Sequence, residues 1–225
     1  MALDRANYQK FAVTPRDDWY VGMDVGQSID PSAIAAVQHV VTAGEWVAND
    51  KARTWKQEKT ERFLVRHIER LPLQTPYPAQ VSRVTQMLGM EPLCGAKFGI
   101  DFTGCGRPVA DAFRYAGLRP TNILILHGNE VTQQDADTFH VPKLHLCSLL
   151  ETALHYGQLK VAPELPDAEV LKNELRDFNR KVSETGHVTY NAKVGKHDDE
   201  IIAVCLCLFM ASRRHEVSQE PLFGH

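Results

Sequence analysis

Four carboxylates stand at the ends of segments whose apolar neighbours mark them as ordered. Asp24 closes the run Trp19-Tyr20-Val21-Gly22-Met23-Asp24, and Asp101 sits in Phe98-Gly99-Ile100-Asp101-Phe102. Asp198 and Asp199 follow Gly195-Lys196-His197 and open the apolar stretch Ile201 to Met210. An ionised carboxylate beside buried apolar chain is costly unless it is paired or bound to a cation. Two strand carboxylates and an acidic pair at a helix start therefore ask for a shared counter-ion.

The local geometry sharpens this expectation. Side chains alternate faces along a strand, so Asp24 shares a face with Gly22 while Val21, Met23 and Val25 face the other way. Asp101 repeats the pattern, with Gly99 beside it and Phe98, Ile100 and Phe102 opposite. A neighbour without a side chain two residues earlier leaves room for a metal or a phosphate. On the closing helix, Ile201, Ile202, Cys205, Leu208 and Phe209 form an apolar stripe at helical spacing. Asp198 lies two turns before Cys205 on the same face, and Asp199 is rotated about 100° from it. Asp198 is thus expected to point at the sheet, and Asp199 is either a second ligand or a favourable charge at a helix N-terminus. Each acid alone has a plain alternative: an Asp ending a strand serves turns and caps, and an Asp-Asp pair before an apolar helix is capping chemistry. Their co-occurrence in one chain is what favours a site.

The elements that must position these residues are readable in outline. Strands are expected at Trp19 to Val25, Ala33 to Val41 and Phe63 to Arg70, joined by short polar connections that favour an antiparallel meander. A helix follows from Tyr77 to Met90, then the strand carrying Asp101. The loop Thr103-Gly104-Cys105-Gly106-Arg107-Pro108 leads into a helix from Val109 to Tyr115, and a strand follows from Asn122 to Leu126. That strand, helix, strand order makes a right-handed parallel crossover. The glycines of the loop suit either a phosphate held on helix-start amides or a tight strand-to-helix turn. Two helices are expected at Val141 to Tyr156 and Asp167 to Ser183, then a short strand at Val188 to Tyr190 before the closing helix.

With 225 residues, 44% hydrophobic and 24% charged, the chain is long enough for one sizeable core. The run Ile201 to Ala211 is too short to span a bilayer, and the start Met-Ala-Leu-Asp-Arg-Ala-Asn lacks the apolar core of a signal peptide. A cytoplasmic setting is the expectation. The net charge of −3 does not advertise a nucleic-acid binder. Lys193, Lys196, His197, Arg213 and Arg214 flank the last acidic motif and offer either a basic rim for DNA phosphate or a solvated helix end. The five cysteines show no zinc spacing, and Cys205 and Cys207 lie inside an apolar helix as small hydrophobes.

An antiparallel meander followed by parallel strands, with acids on the first and fourth strands and on a last helix, is the ribonuclease-H-like plan. The chain resembles the nuclease domain of large terminase subunits, the motor-nucleases that cut and package viral DNA. The residues that carry the resemblance are Val21-Gly22-Met23-Asp24-Val25-Gly26-Gln27-Ser28-Ile29-Asp30-Pro31-Ser32-Ala33-Ile34, then Gly99-Ile100-Asp101-Phe102-Thr103-Gly104-Cys105-Gly106-Arg107-Pro108-Val109, and Gly195-Lys196-His197-Asp198-Asp199-Glu200. It implies an α/β ribonuclease-H-like mixed sheet flanked by helices over residues 18–215, a loose arm at 1–17 and a tail at 216–225. It implies a Mg²⁺- or Mn²⁺-dependent endodeoxyribonuclease with two ions about 3.5–4 Å apart, held by Asp24, Asp101, Asp198 and Asp199. Asp30 is similar in place to an acid seen after the first family motif. Lys193, Lys196, His197 and Arg214 are the residues expected to meet phosphate.

The implied partners are double-stranded DNA, a packaging ATPase, a small terminase subunit and a portal, in a host cytoplasm and without a membrane. The chain carries no Gly-x-x-x-x-Gly-Lys-Ser/Thr phosphate loop, so it reads as an isolated nuclease domain or a separate nuclease subunit. Other readings are a junction resolvase on the same fold, an actin-like kinase fragment, and a non-catalytic domain that docks the packaging motor.

Overall fold

The computed structural model describes residues 8–9, 11–26, 30–49, 51, 54–104, 106–182, 188–192 and 198–217. The apolar alternation of the first strands builds the centre of the sheet. The strand β1 (Arg16–Asp24) pairs antiparallel with β2 (Ala33–Asn49), which pairs antiparallel with β3 (Thr54–Arg70). After the helix α1 (Tyr77–Leu88), the strand β4 (Lys97–Asp101) adds parallel to the other edge of β1. The helix α2 (Gly106–Tyr115) then crosses over to β5 (Thr121–Leu126), parallel to β4 as the crossover requires.

Beyond β5 come β6 (Thr132–Gln133), β7 (Thr138–Pro142), α3 (Lys143–His155), β8 (Leu159–Val161), α4 (Ala168–Asp177), β9 (Phe178–Val182), β10 (Val188–Ala192) and α5 (Asp199–Val217). The main sheet has eight strands in the order β6-β7-β5-β4-β1-β2-β3-β8, and β9 and β10 form a separate ribbon. The expected mixed sheet flanked by helices is present.

Three layers result. Val21, Met23, Ile34, Ala36, Phe98 and Ile100 pack on one sheet face against Val81, Val84 and Met87 of α1 and Val109, Ala110 and Phe113 of α2. Tyr20, Ala35, Val37, Val65, Ile68 and Ile123 pack on the other face against α3, α4 and α5. Every residue of α5 from Ile201 to Ala211 is buried. The helix is therefore covered on all sides and is not the one-sided amphipathic element expected, which agrees with its apolar residues running all round the helix.

Several bounds differ from the expectations for physical reasons. β2 and β3 are each 17 residues long, because past Val41, where β1 ends its pairing, they continue as a hairpin paired to itself. That ribbon is wet on both faces, so it carries no hydrophobic alternation to reveal it. β1 begins at Arg16, inside the stretch assigned to an arm, and the Val13 amide just before it donates to Gln57 Oε1 at 2.8 Å. The helix expected from Val141 starts at Lys143, because Phe139 and Val141 are buried strand residues and Pro142 caps the helix with extended backbone at φ −61° and ψ 136°. The helix expected to reach Ser183 stops at Asp177, where the chain enters β9 and pairs with β10.

Candidate metal centre

Asp24 and Asp101 are register partners at the carboxyl ends of the neighbouring parallel strands β1 and β4. Adjacent strands lie about 4.8 Å apart, and both side chains project to the α5 side by strand alternation. Two carboxylates from distant parts of the chain are thereby held side by side. Gly22 and Gly99 are likewise register partners, two residues earlier. The room they leave is filled by protein, which corrects the expectation that it serves a metal or phosphate. A Cβ on Gly22 would lie 2.2 Å from the Ala203 carbonyl oxygen, and one on Gly99 would lie 2.8 Å from Met210 Sδ. The paired glycines form the trench in which α5 rests against the sheet.

That seating brings the start of α5 to the two strand acids. Asp198 precedes the first helical residue, and its carbonyl accepts the Ile202 amide at 2.9 Å. Asp199 is buried within the first turn. Burial pushes the Asp24 carboxyl well above the usual carboxylate range, and the charges of Asp101, Asp199 and Asp198 push it further, in that order. Both Asp199 and Asp198 thus bear on Asp24.

The ammonium of Lys143, the first residue of α3, lies 2.6 Å from Asp198 Oδ2. It opposes the upward shift of both Asp24 and Asp101. Asp101 is also raised by burial, but the Thr103 hydroxyl and amide lower it by hydrogen bonding. The Thr103 amide donates to Asp101 Oδ1 at 2.9 Å, and the Thr103 hydroxyl oxygen accepts the Ile125 amide at 2.8 Å. Asp101 is therefore fixed through Thr103 to the end of β5.

A second cluster anchors the helix start from behind. Glu174 of α4 accepts the amides of Glu200 and Ile201 on Oε2, at 3.1 and 3.2 Å. It satisfies two of the amides that a helix N-terminus leaves without intrahelical partners. Arg70 of β3 pairs with Glu174 and lies 3.9 Å from Asp199 Oδ2 and from Glu200 Oε1. Burial raises Glu174 to about 7 and Glu200 to about 8.

The other sequence candidates fall as follows. Asp30 is exposed in the turn between β1 and β2. Lys193, Lys196 and His197 lie outside the described residues. Arg214 lies in α5, roughly 22 Å along the helix axis from Asp199 at 1.5 Å per residue, so the helix carries it away from the acids rather than to them. Thr103 and Gly104 lie in a turn, Cys105 lies outside the described residues, and α2 starts at Gly106. Lys143, Glu174, Arg70 and Thr103 were not singled out by sequence reasoning. Only Lys143 left a trace, as a lysine right after Pro142 at a helix start, where a cation is electrostatically disfavoured.

Among the described residues, no three His, Cys, Asp or Glu side chains converge closely enough to hold a metal ion. The Lys143 ammonium lies against Asp198, and the Arg70 guanidinium lies near Asp199. The donor set fits a hard divalent ion nonetheless: it is all carboxylate oxygen, and the structure already gives it a positive charge to balance. Among the described residues no helix is long and apolar enough to cross a membrane.

No family model matches the chain, and no curated protein does. Solved structures do. The large terminase nuclease from thermophilic phage G20c with bound magnesium aligns over 88% of this chain and 84% of its own, at 19% identity and a TM-score of 0.56. Its cobalt-bound form aligns over the same shares at 19% identity and a TM-score of 0.55. The large terminase nuclease domain of Thermus phage P74-26 aligns over 85% of this chain and 78% of its own, at 18% identity and a TM-score of 0.53. At these identities the likeness speaks for the fold: the chain has the ribonuclease-H-like fold of large terminase nuclease domains.

Proposed function

We propose that this protein is a metal-dependent DNA endonuclease that cuts concatemeric viral DNA during genome packaging. The observation that carries the reading is the meeting of Asp24 and Asp101, in register on adjacent strands, with the acidic start of α5. The magnesium and cobalt bound in the phage G20c nuclease support divalent ions as the cofactor. Asp24, Asp101, Asp198 and Asp199 would hold two such ions, Mg²⁺ or Mn²⁺. When bound, these supply Lewis acidity and a nucleophile for phosphodiester hydrolysis.

The chain's own residues do the positioning. Thr103 orients Asp101, Glu174 and Arg70 fix the first turn of α5, and the Gly22–Gly99 trench sets the distance from that turn to Asp24. Lys193, Lys196 and His197 precede the acidic pair in sequence and are assigned to DNA phosphate. The domain on this reading takes in the expected 18–215 together with the start of β1 at Arg16 and the end of α5 at Val217. It acts on double-stranded DNA together with a packaging ATPase, small terminase subunit and portal in the host cytoplasm.

Incubating supercoiled plasmid with the purified protein and Mn²⁺ or Mg²⁺ should yield nicked and linear DNA. Chelator should stop the reaction, and Asp24→Asn or Asp101→Asn should remove it while leaving the fold intact. Wild-type protein that is folded, binds Mn²⁺ and leaves plasmid untouched in the presence of its packaging partners would sink the endonuclease reading.

A further inference from the structure

We propose that Lys143 is the built-in counter-ion of the acidic centre, and that a divalent cation gains Asp198 only by displacing the Lys143 ammonium. The inference rests on the metal-centre reading above and deepens it. It starts from an electrostatic oddity. Lys143 is the first residue of α3, a helix with no acidic residue in its first turn. The partial positive charge of a helix N-terminus favours anions, so this helix start does nothing to hold an ammonium.

The attraction comes from outside the helix. The Lys143 Nζ sits 2.6 Å from Asp198 Oδ2, a contact spanning 55 residues of sequence. The same charge reaches Asp24 on β1 and Asp101 on β4. One ammonium thus relieves the mutual repulsion of carboxylates drawn from three separate segments. A divalent ion ligated by Asp198 would lie within a few ångströms of that ammonium, where two cations repel strongly at any dielectric a protein offers. The two cations therefore compete for Asp198. The Lys143 side chain is 30% exposed, so its flexible stem has solvent to swing into when a metal arrives.

The exchange predicts opposite effects on two quantities that a merely structural ion pair would not link. Lys143→Met should lower the melting temperature of the metal-free protein, because the carboxylates lose their cation. It should also tighten Mn²⁺ or Ca²⁺ binding, read by calorimetry, by about tenfold or more, because the metal no longer competes. In an Asp198→Asn background the gain should shrink towards nothing.

A second measurement needs no variant. In the wild-type protein, reaction of the Lys143 amine with an acylating reagent, followed by mass spectrometry, should be slow without metal and several-fold faster with saturating Ca²⁺. Unchanged or weaker metal binding by a folded Lys143→Met protein would overturn the proposal, as would Lys143 reactivity indifferent to bound Ca²⁺. If metal displaces Lys143 yet no DNA is cut, the exchange stands and the endonuclease reading falls. If neither Mn²⁺ nor Ca²⁺ binds the wild type, both fall together.

Discussion

Replacing Gly22 by alanine is expected to unseat α5 and, with it, the acidic centre. A Cβ at this position meets the Ala203 carbonyl oxygen at 2.2 Å, Cys207 Sγ at 3.0 Å and Leu206 Cβ at 3.1 Å. The nearest of these is helix backbone, so no rotamer change relieves it. Non-bonded contacts settle near 3.5 Å, and α5 must back away from β1 by about 1 Å. An extra methyl group in a packed core costs about 1–3 kcal/mol. The rigid neighbour places Gly22→Ala at the top of that range, a fall in Tm of roughly 6–12 °C for a domain of this size. Gly99→Ala is the control, since its Cβ meets Met210 Sδ and Cε at 2.8 and 3.0 Å, the flexible end of a side chain. It should cost about 1 kcal/mol or less. Moving the start of α5 by about 1 Å should also slow plasmid nicking by about 10²-fold, at a temperature where Gly22→Ala is still folded. Circular-dichroism melts and the Mn²⁺ nicking assay read both effects. A Gly22→Ala protein that melts with the wild type, or a Gly99→Ala protein that is the less stable of the two, would refute the trench as the device that sets the site.

Asp24→Asn should raise the Tm of the metal-free protein by removing one of several crowded charges, and should abolish both nicking and the Tm gain produced by millimolar Mn²⁺. Thermal melts with and without metal check this, and an undiminished Mn²⁺ shift would take Asp24 out of the centre. Glu174→Ala strips the acceptor from the Glu200 and Ile201 amides and the partner from Arg70, which should cost about 3 kcal/mol in a urea titration. Glu174→Gln keeps an acceptor oxygen and should lose less; equal losses would show that charge rather than capping holds the helix start. The hydrogen bond from His39 holds Glu61 down to about 2, with Lys59 contributing. Its folded pKa is depressed, so the stability it supplies, roughly 2–3 kcal/mol at neutral pH by linkage, is present above about pH 4.5 and lost as pH falls towards 2. Glu61→Gln should flatten the stability–pH curve across that acid window, and an unchanged acid limb would contradict the assignment.

The candidate acids were legible because each sits at the end of an apolar element whose period is plain. Val21, Met23 and Ile100 alternate cleanly with Gly22, Asp24, Gly99 and Asp101, so strand, face and carboxylate could be read together. The order of strands and helices as far as β5 followed from turn residues and connection lengths, whereas β6, β7, β8 and β9 were not anticipated. What stayed hidden was either long-range or unpatterned. Lys143 and Glu174 reach α5 across 55 and 26 residues, and nothing in their own neighbourhoods announces such a contact. The outer half of the hairpin of β2 and β3 is exposed on both faces and so looked like loop. Gly22 and Gly99 were noticed for the right property, the missing side chain, and given the wrong occupant. A glycine reports that something comes close, and only the fold reveals that it is a helix.

The burial of α5 also orders events during synthesis. A ribosome emits β1, β2 and β3 first, and the sheet face formed by Tyr20, Ala35, Val37 and Val65 then waits, uncovered, for the last helix of the described chain. Contacts between α5 and β1 join residues separated by nearly the whole sequence, the slowest kind of contact to close. Until they close, the nascent chain exposes an apolar surface that invites association, the usual hazard of partly folded intermediates. The same delay keeps Asp198 and Asp199 away from Asp24 and Asp101. The core is sealed and the acidic start of α5 is brought toward the strand acids in one step, so a partly made chain carries Asp24 and Asp101 without the helix start that faces them.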